Sequence, residues 1–348
     1  MTYNFTRPKY LLHWDYSCAK NCDQDVVVAR HRLAELSLSQ DQQLIELLDQ
    51  HPTQHMQVFS MGHDLAHPSE LQIGELVDCS GEQLLSDIRS GRLIVSLSDV
   101  AQHHDHLRRI VSRLYSELAE CATGFRWANL TDELVLASPG AMQYFHCDHR
   151  PTVRWQLRGS QSISVYPTTD QLVDPICLQS TVLDSTANSL YYEPEFAYDA
   201  QTYFFESGQM ISLPYLTPYH VDYHDDLCVW LQTQHDTPAS LRQKNIVATN
   251  RLLNRIMPRA GQNNSTRGAI ATAKHLLGEL LGLAQRVAHP ASAPEPTFRI
   301  TRKIAQRSSP ISAQISDPSA DTDNRSPIAG FLSSPTSTTT TTPVISEN

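Results

Sequence analysis

Residues 153–167, VRWQLRGSQSISVYP, read as two strand-length segments joined at Gly159. Both are rich in branched and aromatic side chains, and both alternate apolar with polar positions, the signature of a pleated, half-buried strand. The same texture returns in QTYFFESG (201–208), QMISLP (209–214) and LCVWLQT (227–233). Short strands separated by turn residues, without intervening helical periods, favour a sandwich or barrel over alternating βαβ units. The middle of the chain, residues 126–237, is therefore expected to be a mainly β core.

Helical periods flank this core. In SLSQDQQLIELLDQHP (37–52), Ser39 is placed to cap a helix with Gln42 three residues on, and Leu44, Leu47 and Leu48 share one face. Residues 99–124 carry Leu107, Ile110, Val111, Leu114 and Leu118 as a buried stripe ending before Gly124. His103, His104 and His106 precede that stripe, where solvated side chains are expected. Two further helices are read in residues 240–258 and 267–290. Beyond residue 289 the chain is rich in Ser, Thr and Pro, a composition that buries too little apolar surface to offset the entropy of ordering. The expected organisation is an N-terminal helical or mixed region (1–125), the β core (126–237), C-terminal helices (238–289) and a disordered tail (290–348).

With Lys+Arg 27 against Asp+Glu 37, the net charge of -10 excludes the basic excess that a phosphate backbone demands. No direct nucleic-acid contact is expected. No stretch has the length of a membrane span or the pattern of a signal peptide, so a soluble, cytoplasmic protein is expected. Seven cysteines are an odd, scattered set that suits reduced thiols. Cys18 and Cys22 resemble half a zinc site, but no second pair follows.

Chemistry concentrates in MQYFHCDHRP (142–151). A His-x-Asp tripeptide is weak evidence alone, because the chain holds five, beginning at His13, His103, His146, His220 and His224. On an extended segment His146 and Asp148 point the same way, with Cys147 opposite. Two imidazoles and one carboxylate on one face of a metal form the site of non-haem Fe(II) oxygenases, with open positions for substrate and oxygen. The missing imidazole has its best candidate in His220, which follows a strand and a Pro-containing loop in ESGQMISLPYLTPYH (206–220). His224 is the rival, and His149 a third option.

Two passages together resemble the JmjC-type, cupin-like Fe(II)/2-oxoglutarate oxygenase family. One is SPGAMQYFHCDHRPTVRWQLRGSQSISVYP (138–167), similar to the family's proline-glycine lead, His-x-Asp pair, strand ending in glycine, and further strand ending at proline. The other is the passage ending at His220. The resemblance covers about residues 135 to 235. It implies a double-stranded β-helix of the cupin or jelly-roll kind with flanking helices, and iron ligands His146, Asp148 and His220. It also implies 2-oxoglutarate as co-substrate and hydroxylation of a protein side chain or small molecule.

Several positions depart from the family's pattern. Its lysine two residues after the strand-end glycine is Gln161 here, which forfeits a charge-assisted contact to the co-substrate's far carboxylate. Arg154 or Arg158 stands near enough to supply a cation, although alternation allows both to face away from the interior. The family's asparagine beyond the His-x-Asp is Thr152, and Gln232 on the returning strand is a candidate co-substrate contact. The second reading, from another class, is a cupin-like metal- or ligand-binding module without turnover, and a third is a regulatory scaffold. The C-terminal helices are compatible with a homodimer.

Overall fold

In a computed structural model of the chain, residues 10–12, 14–122, 124–168, 190, 192–224, 226–256, 267–285 and 296–301 are described. The N-terminal part runs β1 (Leu11–Leu12), α1 (Tyr16–Asn21), β2 (Val27–His31), α2 (Asp41–Gln50), β3 (Met56–Ser60) and β4 (Gln72–Val77). It continues with α3 (Gly81–Ser90), β5 (Leu93–Ser98), α4 (Val100–His103) and α5 (Asp105–Cys121). The middle is all strand: β6 (Ala128–Ala137), β7 (Met142–Cys147), β8 (Thr152–Arg158), β9 (Ser160–Val165), β10 (Gln201–Glu206), β11 (Gln209–Leu213), β12 (Pro218–Tyr223) and β13 (Cys228–Asp236). α6 (Pro238–Ile256), α7 (Ala269–Gln285) and β14 (Phe298–Thr301) follow.

β6 to β13 divide between two sheets. The larger contains the run β11-β8-β13-β6, and the smaller is β10-β9-β12-β7. All neighbours in these runs are antiparallel. Successive strands cross from one sheet to the other, except at the β9–β10 pair, and the winding is a double-stranded β-helix. Gly159 makes the crossing between β8 and β9 at φ 74°, and a Cβ there would lie 2.6 Å from the Leu227 carbonyl oxygen. Glycine is required on both counts.

The larger sheet does not stop at the barrel. β2 and β1 continue it beyond β11, while β5, β3, β4 and β14 continue it beyond β6, giving ten strands. The N-terminal region is thus mixed, its strands extending the barrel sheet and its helices covering it. Leu44, Leu47 and Leu48 of α2 join Leu84, Leu85 and Ile88 of α3 and the stripe of α5 in one core with Val153, Trp155 and Leu157 of β8. That core lies on the sheet's outer face.

The helix stripes fall where the periodicity expects them, but one cap does not. Ser39 belongs to a single 3-10 turn, Ser37–Ser39, and Gln40 takes the cap position of α2 without a side-chain bond. His104 is not solvated either: it is buried, and its Nε2 is 3.1 Å from Nδ1 of His51, brought in from the end of α2. Within the stretch expected to be disordered, Phe298–Thr301 pairs parallel with β4. Backbone pairing with an existing edge supplies the order that composition lacks. Residues 302–348 lie outside the described residues.

Candidate active site

The first pair of site residues is delivered by β7. His146 is its penultimate residue, and Asp148 follows its end. Opposite them runs β12, with Tyr219 directly across from His146. The register then shifts, so that the three steps from His146 to Gln143 oppose the two from Tyr219 to Val221. Such a bulge re-aims side chains. It turns both Gln143 and His146 towards one cleft of about 650 Å³, which Asp148, Tyr219, Glu133 and Gln232 also line.

His146 is held for ligation. Its Nδ1 lies 2.6 Å from the Tyr144 carbonyl oxygen, so that nitrogen carries the proton and Nε2 keeps a lone pair. Burial holds the imidazole below its ordinary pKa and therefore neutral, outweighing the nearby Asp148 carboxylate. The Asp148 carboxylate accepts two hydroxyl bonds at Oδ2, from Thr152 at 2.7 Å and from Tyr219 at 2.7 Å. Its carbonyl oxygen accepts from the Leu216 N–H at 2.6 Å, which ties in the loop that leads into β12. Leu216 pays for that link with a left-handed φ of 61°.

His220, expected as the third ligand, faces the other way. Tyr219, Val221 and Tyr223 occupy the inner core, and His220 falls between them on the outer side of the smaller sheet. There its Nδ1 is 2.9 Å from the Tyr166 hydroxyl and its Nε2 is 3.3 Å from Asp222. His224 stacks on Phe204 of β10. His149 lines the cleft, and burial holds it below its usual pKa. Among the described residues, no three His, Cys, Asp or Glu side chains are grouped so as to hold a metal ion. His146 and Asp148 suit Fe(II), but the side chain that meets both of them is the phenol of Tyr219. Burial keeps the Tyr219 hydroxyl protonated well above its ordinary pKa, with Asp148 adding to the effect. The residues present do not complete a 2-His-1-carboxylate set.

Deeper in the barrel stands a cation. Arg154, 1% exposed, points inward, contrary to the outward direction that alternation allowed it. Its guanidinium donates to Gln143 Oε1 at 2.8 Å, to Gln161 Oε1 at 3.2 Å and to the Tyr223 hydroxyl at 3.0 Å, and lies 4.5 Å from the Trp230 ring. Its buried Nε has no partner, and among the described residues it forms no ion pair. A full charge buried among neutral groups is costly unless an anion completes it. Arg158 instead sits at the rim with Asp41 and Asp226.

The other expected contacts form one polar lining around these groups. Gln161 donates to Gln156 Oε1 while accepting from Arg154. Gln232 donates to Glu133, whose carboxyl burial pushes up. Thr152 bonds Asp148 and accepts from Gln234 at 3.1 Å, so it steadies the carboxylate. Sequence reasoning missed Tyr219, Gln143 and Glu133. For Tyr219 the signal was present: Tyr219, Val221 and Tyr223 alternate with His220, Asp222 and His224.

No protein-family model matches the chain, and no curated protein matches its sequence. Solved structures do resemble it. YcfD of Escherichia coli is similar over 80% of this chain and 70% of its own, at 15% identity and a TM-score of 0.47. The structure of that ribosomal oxygenase with cobalt and 2-oxoglutarate is similar over 79% and 68%, at 13% identity and a TM-score of 0.39. The SPY1581 protein of Streptococcus pyogenes matches 32% of this chain and 68% of its own, at 14% identity and a TM-score of 0.21. The double-stranded β-helix of this chain is defined by its own strand pairing.

Proposed function

We propose that the chain works as a JmjC-type 2-oxoglutarate oxygenase, with the barrel holding a small dicarboxylate on Arg154 and the cleft at His146 and Asp148 receiving a protein side chain or small molecule. The observation that carries this reading is the buried Arg154, a cation that forms no ion pair among the described residues and whose Nε has no partner, in the interior of a double-stranded β-helix. It stands 3.2 Å from Gln161, the residue at the family's lysine position, and so restores the charge that Gln161 lacks. Charge-assisted bonds from a guanidinium suit a carboxylate in a low-dielectric site. Fe(II), when bound, would draw on His146 and Asp148 and would supply the oxidative chemistry. Thr152 and Tyr219 orient the Asp148 carboxylate, Tyr144 fixes the His146 tautomer, and the cleft offers room for a substrate.

A second reading, a ligand-binding module without turnover, is favoured by the phenol of Tyr219 against His146 and Asp148, where no third ligand is grouped with them among the described residues. Calorimetric titration of 2-oxoglutarate into the native chain and into Arg154→Met tests the shared element: the variant is expected to bind at least about tenfold more weakly. Equal binding by both, or none by either, would remove 2-oxoglutarate from the account. Succinate release after anaerobic Fe(II) loading then divides the oxygenase from the module. Free thiols at Cys18, Cys22, Cys79, Cys121 and Cys228 support a reducing, cytoplasmic setting. Ile270, Leu276 and Leu277, exposed on α7, support a homodimer through the C-terminal helices.

A further inference from the structure

Tyr219 is the residue that meets both His146 and Asp148. Its ring centroid is 4.2 Å from that of His146, its backbone is the cross-strand partner of His146, and its hydroxyl donates to Asp148 Oδ2 at 2.7 Å. His220 is the next residue along a strand, and side chains one residue apart face opposite sides of a sheet. To reach the cleft, His220 would have to slip the register of β12 by one. That slip would expel Val221 and Tyr223 from the inner core and break the Tyr223 bond to Arg154.

We infer that Tyr219, not His220, occupies the third ligand position of this centre and competes with a divalent metal for the Asp148 carboxylate. The inference deepens the proposed function and rests on its assignment of His146 and Asp148 as the reaction centre. A metal drawn to His146 Nε2 and Asp148 meets a carboxylate whose Oδ2 already accepts hydroxyl bonds from Tyr219 and Thr152, bonds that draw negative charge from the group the metal must share. Removing the phenol hydroxyl withdraws one of those two bonds from Asp148, and placing an imidazole at 219 adds a nitrogen donor on the correct face. Position 219 therefore sets metal affinity, while position 220 does not enter.

The test is titration with Co(II), read by calorimetry and by the visible absorption of the bound ion, on the native chain, Tyr219→Phe, Tyr219→His and His220→Ala. Circular dichroism and a thermal melt establish that each variant is folded. Affinity is expected to rise about tenfold for Tyr219→Phe and about a hundredfold or more for Tyr219→His. His220→Ala is expected to match the native chain. Loss of Co(II) binding in His220→Ala would overturn the inference, as would weaker binding by Tyr219→Phe, which would make the phenol a ligand. A folded Tyr219→His no tighter than native would overturn it too. Should Tyr219→His fail to fold, Tyr219→Phe and His220→Ala decide the matter. Metal-free 2-oxoglutarate binding by the same proteins separates the two claims, because it reports on Arg154 and not on position 219.

Discussion

Strands β8 and β12 alternate equally well, and the barrel uses them in opposite senses. On β8 the apolar residues Val153, Trp155 and Leu157 face outward into the helix-covered core, and Arg154 and Gln156 face inward. On β12 the aromatic and branched residues Tyr219, Val221 and Tyr223 face inward, and His220 and Asp222 face outward. The difference lies in what covers each sheet. The larger sheet carries α2, α3 and α5 on its back, so its outer face is a true interior and its inner face is free to be polar. The smaller sheet has its main apolar burial inside the barrel, so its polar alternates turn out. Polar residues from one wall and aromatic residues from the other then meet around Arg154, whose guanidinium bonds Gln143 and Tyr223 from the smaller sheet.

This contrast makes the outer face of β8 structural and its inner face functional, and the two separate by mutation. The largest effect is expected for Trp155→Ala, which empties a fully buried site and also deletes an indole bond to Thr233. A loss of about 3–5 kcal/mol in chemical denaturation is expected. A loss under about 1 kcal/mol would show that the helices do not close over that face.

The next effect is a pH dependence in the same outer layer. His31 packs edge-on to Trp155, with ring centroids 5.8 Å apart. Its Nδ1 accepts from the Leu33 N–H at 3.0 Å, which leaves Nε2 to donate to the Gln209 carbonyl at 3.0 Å. Burial lowers its pKa to about 4. The unfolded chain then binds the extra proton first, from about pH 6.5 downward, while the folded chain resists until about pH 4. Stability is therefore full above pH 6.5 and falls as pH drops through this window, by about 3 kcal/mol at pH 4. Comparing melts of the native chain and His31→Gln over that range checks it. Equal slopes would mean the imidazole is not held neutral.

The smallest stability effect is expected inside. Arg154→Met removes a buried charge together with its bonds to neutral partners, and these terms oppose each other. Its denaturation midpoint is expected to correspond to within about 1 kcal/mol of native stability, although 2-oxoglutarate binding is lost. A collapse in stability comparable with Trp155→Ala would make Arg154 a structural residue and erase the contrast between the faces of β8.

Much of this was written in the sequence. Strand-length runs with strict alternation determined the β core, and the leucine stripes determined α2 and α5, because burial periods of two and of about three and a half are local properties of the chain. His146 and Asp148 were legible for the same reason: spacing of two on an extended segment puts them together. Tertiary structure alone decided which face of each alternating strand lies inside. That choice depends on which sheet the helices cover, on a bulge in β7, and on the pairing that turns Tyr219 inward. Period two fixes which side chains travel together along a strand, while the direction in which they point is a property of the layers packed on either side.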